Sequence, residues 1–295
     1  MARTRLVVGW LLGLLLTVIG RAAAESQTLL RWKLSEGDQF HYRIEEQARL
    51  GDKALGLTET LRMDTTWRVG KTEDGVSDVT IRINQIRFAA EGDVGAGPFK
   101  VEYDSSAAKA EGQGAKALSE VFGAMIAAEI HMNMSPLGGI GDPKLPKRLA
   151  DLLDDRTARE LAGFFGETVS SNGIKRALAL VAVGLPKDAA TEGTAWTNKF
   201  ALDPHGGHSL SCNCAYAYRG QEVLDGSKLH KIEIKTEETV VAHRRKDGEM
   251  RWQRAATGTA YFDHSIGRMR RCSLSMKEFD CFRDVTTSAT LIDRR

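Results

Sequence analysis

The stretch from His205 to Cys214 (HGGHSLSCNC) places two histidines and two cysteines within ten residues. His205, His208, Cys212 and Cys214 offer two imidazoles and two thiolates, a ligand set that suits zinc or copper. Their spacing matches no compact zinc finger, and two glycines between the histidines favour a hairpin tip where both imidazoles contact water. We therefore keep these four residues as metal candidates and predict no metal or other cofactor.

The four cysteines of the chain, Cys212, Cys214, Cys272 and Cys281, are also candidates for disulfides. Cys212 and Cys214 lie two residues apart on a predicted strand, so their side chains share one face about 6.5 Å apart along the backbone. Their Cα–Cβ bonds are then parallel, which disfavours a bridge between them. We favour two bridges that join this pair to Cys272 and Cys281. A single bridge between Cys272 and Cys281, beside two buried thiols, is the alternative.

The start of the chain indicates the oxidising compartment that such bridges need. Two arginines precede an apolar run over residues 6–19, and three alanines end at Ala24. This pattern predicts a secretory signal peptide over residues 1–24, because the run is too short for a lasting membrane span. We expect an exported protein, periplasmic or extracellular, with no transmembrane span after cleavage. The first cysteine is Cys212, so we expect no lipid anchor at the new N-terminus.

The charge balance argues against polyanionic partners. Residues 1–24 contain three arginines and no acidic residue, so their removal reduces 41 basic residues to 38, against 39 acidic ones. The mature chain then carries a formal charge of about −1, which gives no electrostatic footprint for nucleic acid or anionic lipid headgroups. We predict no nucleic-acid partner.

No motif with a known catalytic mechanism occurs in the sequence, which has neither a nucleophile elbow nor an HExxH zinc-protease motif. The glycine-rich segments 92–97, 112–114 and 138–141 lack the spacing of phosphate or dinucleotide loops and predict turns. We therefore predict a non-catalytic exported protein of the cell envelope. An exported hydrolase with a site assembled from scattered residues is the alternative.

Apolar and polar residues alternate with period two at both ends of the chain. Val79, Ile81 and Ile83 alternate with polar residues, which predicts a strand with one face in water. Asp74-Gly75 and Asp225-Gly226 predict two-residue hairpin turns, and consecutive strands then form an antiparallel meander. Further predicted strands cover residues 29–34, 39–50, 58–69, 99–104, 208–218, 231–235, 251–262, 268–276 and 283–292.

The middle of the chain changes to helical spacing. Residues 117–128 and a segment beginning at Asp142-Pro143 carry apolar stripes, a capping box at Thr157 and Glu160 begins a third helix, and residues 173–183 form a fourth. Each apolar face must be buried against another element. We predict a β-dominated α+β fold in which a large, curved antiparallel sheet packs one face against a central helical insertion.

These patterns predict one mature domain over residues 25–295. It is β-rich over 25–104 and 192–295, with the helical insertion over about 117–184. The two β-rich parts also share weak similarity, because EGDQF at 36–40 resembles EGTAW at 192–196. A duplication and a shared strand-turn composition both account for it.

Most aromatic residues fall on the apolar registers of their strands. We interpret them as core anchors, with an aromatic-lined cavity for an apolar or sugar ligand as the alternative. Helices that fit the sheet loosely would leave a pocket, so we predict binding of an apolar small molecule or an envelope protein between sheet and helices. The aromatic residues are Trp32, Phe40, Tyr42, Trp67, Trp196, Tyr216 and Tyr218.

Four segments resemble a family of exported bacterial proteins of unknown function. They are LRWKLSEGDQFHYRIEEQ at 30–47, MSPLGGIGD at 134–142, LPKDAATEGTAW at 185–196 and AYFDHSIGRM at 260–269. The resemblance covers nearly the whole mature chain and consists of turns and aromatic anchors. It implies export and a β-rich fold. It implies no catalytic residues, because the family has no established active site.

Overall fold

A computed structural model of the chain describes ten stretches of residues. The predicted signal peptide, the capping box at Thr157 and Glu160, and Cys281 lie outside them. The described stretches are 27–51, 56–93, 97–107, 111–112, 115–126, 128–153, 171–205, 208–244, 248–278 and 283–292.

The described residues form one twelve-stranded antiparallel sheet, in which eleven strands run in the order β5-β4-β3-β2-β1-β12-β11-β10-β9-β8-β7 and β6 pairs with β3. The strands are β1 (Gln39–Gly51), β2 (Gly56–Glu73), β3 (Val76–Asp93), β4 (Pro98–Asp104), β5 (Glu111–Gly112), β6 (Glu129–Met134), β7 (Ala195–His205), β8 (His208–Leu224), β9 (Ser227–Arg244), β10 (Gly248–Asp263), β11 (Arg268–Glu278) and β12 (Arg283–Leu291).

The meander follows from tight turns between alternating segments. Asp74 and Asp225 have φ of 50°, and Gly75 and Gly226 have φ of 77°, the two positive values that a type I′ hairpin turn requires. These two predicted turns are confirmed. The sequence patterns did not reveal the pairing of β1 with β12, which joins the two β-rich parts into one sheet.

The predicted strand over residues 29–34 is wrong. Its backbone bonds to two separate loops instead of to a neighbouring strand, because Trp32 N donates to Pro136 O at 2.9 Å and Lys33 N to Gly267 O at 3.1 Å. The apolar residues Leu30 and Trp32 are nevertheless buried. The alternation of apolar and polar residues correctly indicated one buried face here, but the segment does not pair with a strand of the sheet.

Three helices occur in the described residues: α1 (Ala115–Ile126), α2 (Lys147–Leu153) and α3 (Ser171–Val181). The predicted helix start at Asp142-Pro143 is wrong, since α2 begins after Pro146, whose carbonyl accepts from Leu149 N and Ala150 N. The insertion also contains the strand β6.

The helices pack on one face of the sheet, as predicted. α1 contacts β3 and β4, whereas α3 contacts β7, β11 and β12. β7 ends the strand order and β12 lies near its middle, so the sheet must curve around α3 to bring both into contact. One apolar core contains buried residues from both β-rich parts and from all three helices.

The opposite face of the sheet is polar, as the alternation predicted. Arg43 Nε lies 2.8 Å from Asp64 Oδ1, and Arg219 Nη2 lies 2.8 Å from Glu233 Oε2. Both pairs join neighbouring strands across the outer face. None of the helices in the described stretches is long and apolar enough to cross a membrane.

Candidate ligand-binding cavity

A cavity of about 140 Å³ lies between α3 and the concave face of the sheet. Strand residues from β1 across to β7 form its floor, and residues of α3 and the loop 138–140 form its roof. An apolar cavity of about 150 Å³ is large enough to bind benzene in a protein of known structure. The cavity therefore has room for a small ring or about six carbons of a chain.

Strand register aligns the floor in two rows of inward-facing residues. Each row crosses the sheet because directly opposed residues of antiparallel strands face the same way. The first row reads Glu46, Thr287, Leu274, Gly258, Ile234 and Tyr216, and the second reads Val285, Met276, Ala256, Thr236, Cys214 and Asn198.

The cavity borders two apolar clusters of the described residues. Ala48, Ala256, Met276 and Val285 form a small cluster that is distinct from the main core. Three of these four residues line the cavity, as do main-core residues such as Ile234. The cavity therefore lies where the two clusters meet, with Leu274 packed against both.

Fixed contacts hold the roof in place at the end of α3. The indole Nε1 of Trp32 donates to Val183 O at 3.2 Å, and that of Trp196 donates to Gly184 O at 3.1 Å. Gly138 has φ of 75°, and a Cβ there would lie 2.1 Å from Val183 O. Only glycine permits this approach of the loop to the helix end.

Polar side chains line two separate parts of the cavity, because Glu46 stands on β1 and Glu238 on β9, four strands away. Glu46 accepts from Thr287 Oγ1 at 3.4 Å, and Glu238 Oε2 lies 3.7 Å from Arg176 Nη1. Among the described residues, Thr236 Oγ1 and Glu238 Oε2 are buried without a hydrogen-bond partner. The cavity is thus apolar along most of its floor, with a polar end at Thr236 and Glu238 and a separate carboxylate, Glu46, on β1.

Cys212 and Cys214 also line the cavity, and their sulfurs lie 3.5 Å apart. The two side chains converge more than the parallel geometry of an extended strand predicted. The hydrogen bond from the Cys212 thiol lowers the pKa of Cys214, against the opposing effect of burial, and raises the pKa of Cys212. Burial raises the pKa of Cys272 to about 12.

The predicted disulfides do not occur among the described residues. Cys212, Cys214 and Cys272 are free thiols and all three are buried. Bridges to Cys281 remain a prediction, because that residue lies outside the described stretches.

The four metal candidates stand on one hairpin, and as a metal site they remain a prediction because the side chains of both histidines lie outside the described part of the chain. His205 and His208 are paired across the tip of the β7–β8 hairpin, as their glycine spacing predicted, while Cys212 and Cys214 lie further along β8. In the described part of the chain, no three His, Cys, Asp or Glu side chains are placed to hold a metal ion.

Sequence reasoning missed the polar residues of the cavity. Glu46 and Glu238 occupy inward positions in strands whose other inward residues are mostly apolar, such as Ile44 and Ile234. An acidic residue on an apolar register was the available signal, because burying a carboxylate is costly and needs a reason. The predicted core anchors are confirmed for Trp32 and Trp67, which are buried.

No protein-family profile and no curated protein sequence matches this chain. Among solved structures, a lipovitellin structure concerned with lipid–protein interactions overlaps 89% of this chain and 26% of its own, with 9% identity and a TM-score of 0.38. The chain thus spans about a quarter of lipovitellin.

Two bacterial structures overlap almost end to end. A proposed exported protein with a YmcC-like fold from Bacteroides fragilis has 9% identity and a TM-score of 0.26, covering 89% of this chain and 97% of its own. The hypothetical lipoprotein YmcC from Escherichia coli has 11% identity and a TM-score of 0.23, covering 100% and 99%. These scores are too low to assign a family or a function.

Proposed function

We propose that this protein is a non-catalytic exported component of the bacterial cell envelope that binds an apolar or lipid-like small molecule between α3 and the sheet. The observation that carries the proposal is the cavity of about 140 Å³, which lies where two apolar clusters of the core meet. Protein interiors are packed to the density of organic crystals, so an unfilled volume of this size is unusual. A ligand that fills it would recover the missing apolar contacts.

The lining sets the size and chemistry of the ligand. Leu274, Met276, Ala256 and Ile234 provide an apolar floor, and Leu180 of α3 faces them from the roof. Burying about six carbons at about 0.8 kcal/mol each corresponds to a Kd of about 1 mM or below. A longer chain would bind more tightly only if its remaining length contacts the protein outside the cavity.

A matched pair of alanines on one strand tests this proposal. Ala256 faces the cavity and Ala255, its neighbour, is exposed on the opposite face. We expect 1-hexanol to raise the Tm of the wild-type protein and of Ala255→Leu, since a ligand that binds only the folded state stabilises it. Ala256→Leu should lose this effect because leucine occupies the space.

The natural ligand can be sought directly. Non-denaturing mass spectrometry of protein purified from its native host should show a retained apolar molecule in wild type and less of it in Ala256→Leu. An equal Tm response to 1-hexanol in both leucine variants would rule out binding in this cavity.

A further inference from the structure

Two oxygen atoms at the polar end of the cavity are buried and face it without a hydrogen-bond partner. Thr236 is 6% exposed and Glu238 is 8% exposed, and both line the cavity. Within the described residues, neither Thr236 Oγ1 nor Glu238 Oε2 has a hydrogen bond. Buried polar groups are nearly always paired, so these two atoms mark a place where a polar group belongs.

The two residues stand on one face of β9 at successive inward positions. Thr236 is opposite Cys214 and Ala256, and Glu238 is opposite Cys212 and Arg254. Residues two apart on a strand are separated by about 6.5 Å, so one small polar group between them can reach both oxygens. The apolar floor begins next to this point, at Ala256.

The unpaired carboxylate oxygen at this end favours a hydrogen-bond donor over an anion. Glu238 lies near two guanidinium groups, since Arg176 lines the cavity beside it and Arg254 is opposite it on β10, whereas Glu46 lines the cavity four strands away. Arg176 Nη1 is 3.7 Å from Glu238 Oε2, which is too long for a hydrogen bond. Glu238 Oε2 therefore keeps an accepting position for a donor, which an anionic group cannot supply.

We propose that the ligand is an amphiphilic primary amine, whose ammonium group donates to Glu238 Oε2 and Thr236 Oγ1 while its alkyl chain fills the apolar part of the cavity. This inference rests on the proposed function and adds the class of the polar group. A charge-assisted hydrogen bond to a buried carboxylate is among the stronger polar contacts in proteins. Thr236 contributes an accepting hydroxyl oxygen, and Glu238 contributes both acceptor and charge.

Three ligands with the same six-carbon chain test the class of the polar group. Hexylamine, 1-hexanol and hexanoate are titrated at pH 7 into the full mature chain, and each Kd is obtained by NMR. We expect hexylamine to bind at least about tenfold more tightly than hexanoate, the effect of one charge-assisted contact. Glu238→Gln should weaken hexylamine by about tenfold and leave 1-hexanol within about twofold, and Thr236→Val should weaken hexylamine less.

Glu237→Gln is the matched control, because Glu237 is the exposed neighbour on the opposite face of β9. It should change none of the three dissociation constants, and a thermal melt of each variant shows that it is folded. Tighter binding of hexanoate or 1-hexanol than of hexylamine would overturn the amine assignment while leaving the proposed function intact. Binding of none of the three would instead contradict the proposed function itself.

Discussion

Lys175 Nζ lies 2.8 Å from Oδ1 and 2.9 Å from Oδ2 of Asp142, and this ion pair joins α3 to the segment that precedes α2. The lysine side chain is 1% exposed, whereas the aspartate side chain is 29% exposed. The pair therefore anchors the roof of the cavity. The buried lysine depends on its counter-charge more than the aspartate does, because water can reach the aspartate.

Removing the aspartate should destabilise the protein more than removing the lysine. Asp142→Ala leaves a buried ammonium without its counter-charge, which costs about 3 to 5 kcal/mol for a buried pair. Lys175→Met leaves a carboxylate that water can reach and should cost about 1 kcal/mol or less. Urea unfolding measures both, and the double variant should recover much of the loss of Asp142→Ala. Equal losses in the two single variants would contradict the unequal dependence that the burial of the two side chains predicts.

The free energy of unfolding should decrease as the pH decreases, because His230 becomes protonated. His230 is 3% exposed, and burial, assisted by the nearby His264 and Lys228, lowers its pKa from 6.5 to about 4, although Asp263 opposes the shift. Tyr218 Oη lies 2.8 Å from its Nδ1 and Gln221 Nε2 lies 3.2 Å from its Nε2.

Proton linkage sets the direction in which stability changes with pH. The unfolded chain binds the proton more tightly than the folded protein, so the contribution is fully present above pH 6.5 and decreases as the pH falls toward 4. We expect a loss of about 2 to 3 kcal/mol between pH 7 and pH 4.5 in urea unfolding. His230→Gln should remove this part of the slope. A slope unchanged in that variant would assign the pH dependence to other groups.

Alkylation should distinguish the three described cysteines. Cys214 should react first, because the hydrogen bond from Cys212 lowers its pKa and the thiolate is the nucleophile. Cys272 should react last, since it is fully buried and its pKa is raised to about 12. A time course with a small alkylating agent, followed by peptide mapping, measures both rates. Modification of Cys272 as fast as Cys214 would contradict this order.

Non-reduced mapping of the same protein tests the disulfide prediction. The sequence favoured bridges from Cys212 and Cys214 to Cys272 and Cys281, whereas the structure brings the sulfurs of Cys212 and Cys214 to 3.5 Å. If native protein is oxidised, we expect the link within the Cys212–Cys214 pair and a free Cys272. A peptide joining Cys272 to either of them would support the original prediction instead.

Local patterns in the sequence were sufficient to predict most of the sheet. Alternation in β3 and positive-φ turns such as Asp225-Gly226 depend on neighbouring residues alone, so they could be read directly. The pairing of β1 with β12 joins residues such as Tyr42 and Leu291 that are far apart in the chain. No local pattern encodes such a contact, which follows only from how the whole sheet curves.

The cavity could be anticipated in position but not in detail. Apolar faces on sheet and helices predicted a common core between them, and a loose fit there was the expected origin of a pocket. Whether space remains depends on side-chain volumes at contacting positions such as Ala256 and Ala177, which approach from distant parts of the sequence. Glu238 was missed because the predicted strand ended at residue 235, whereas the observed strand β9 continues to Arg244.

Methionine methyl groups provide the most direct test of ligand binding between α3 and the sheet. Met276 lines the cavity, whereas Met125 is buried on α1, which packs on β3 and β4. In protein labelled with ¹³C-methyl methionine, titration with hexylamine should shift the Met276 resonance in a saturable way and leave Met125 unchanged. Saturable shifts at Met125 with none at Met276, or no saturable shift at either, would contradict a binding site in this cavity.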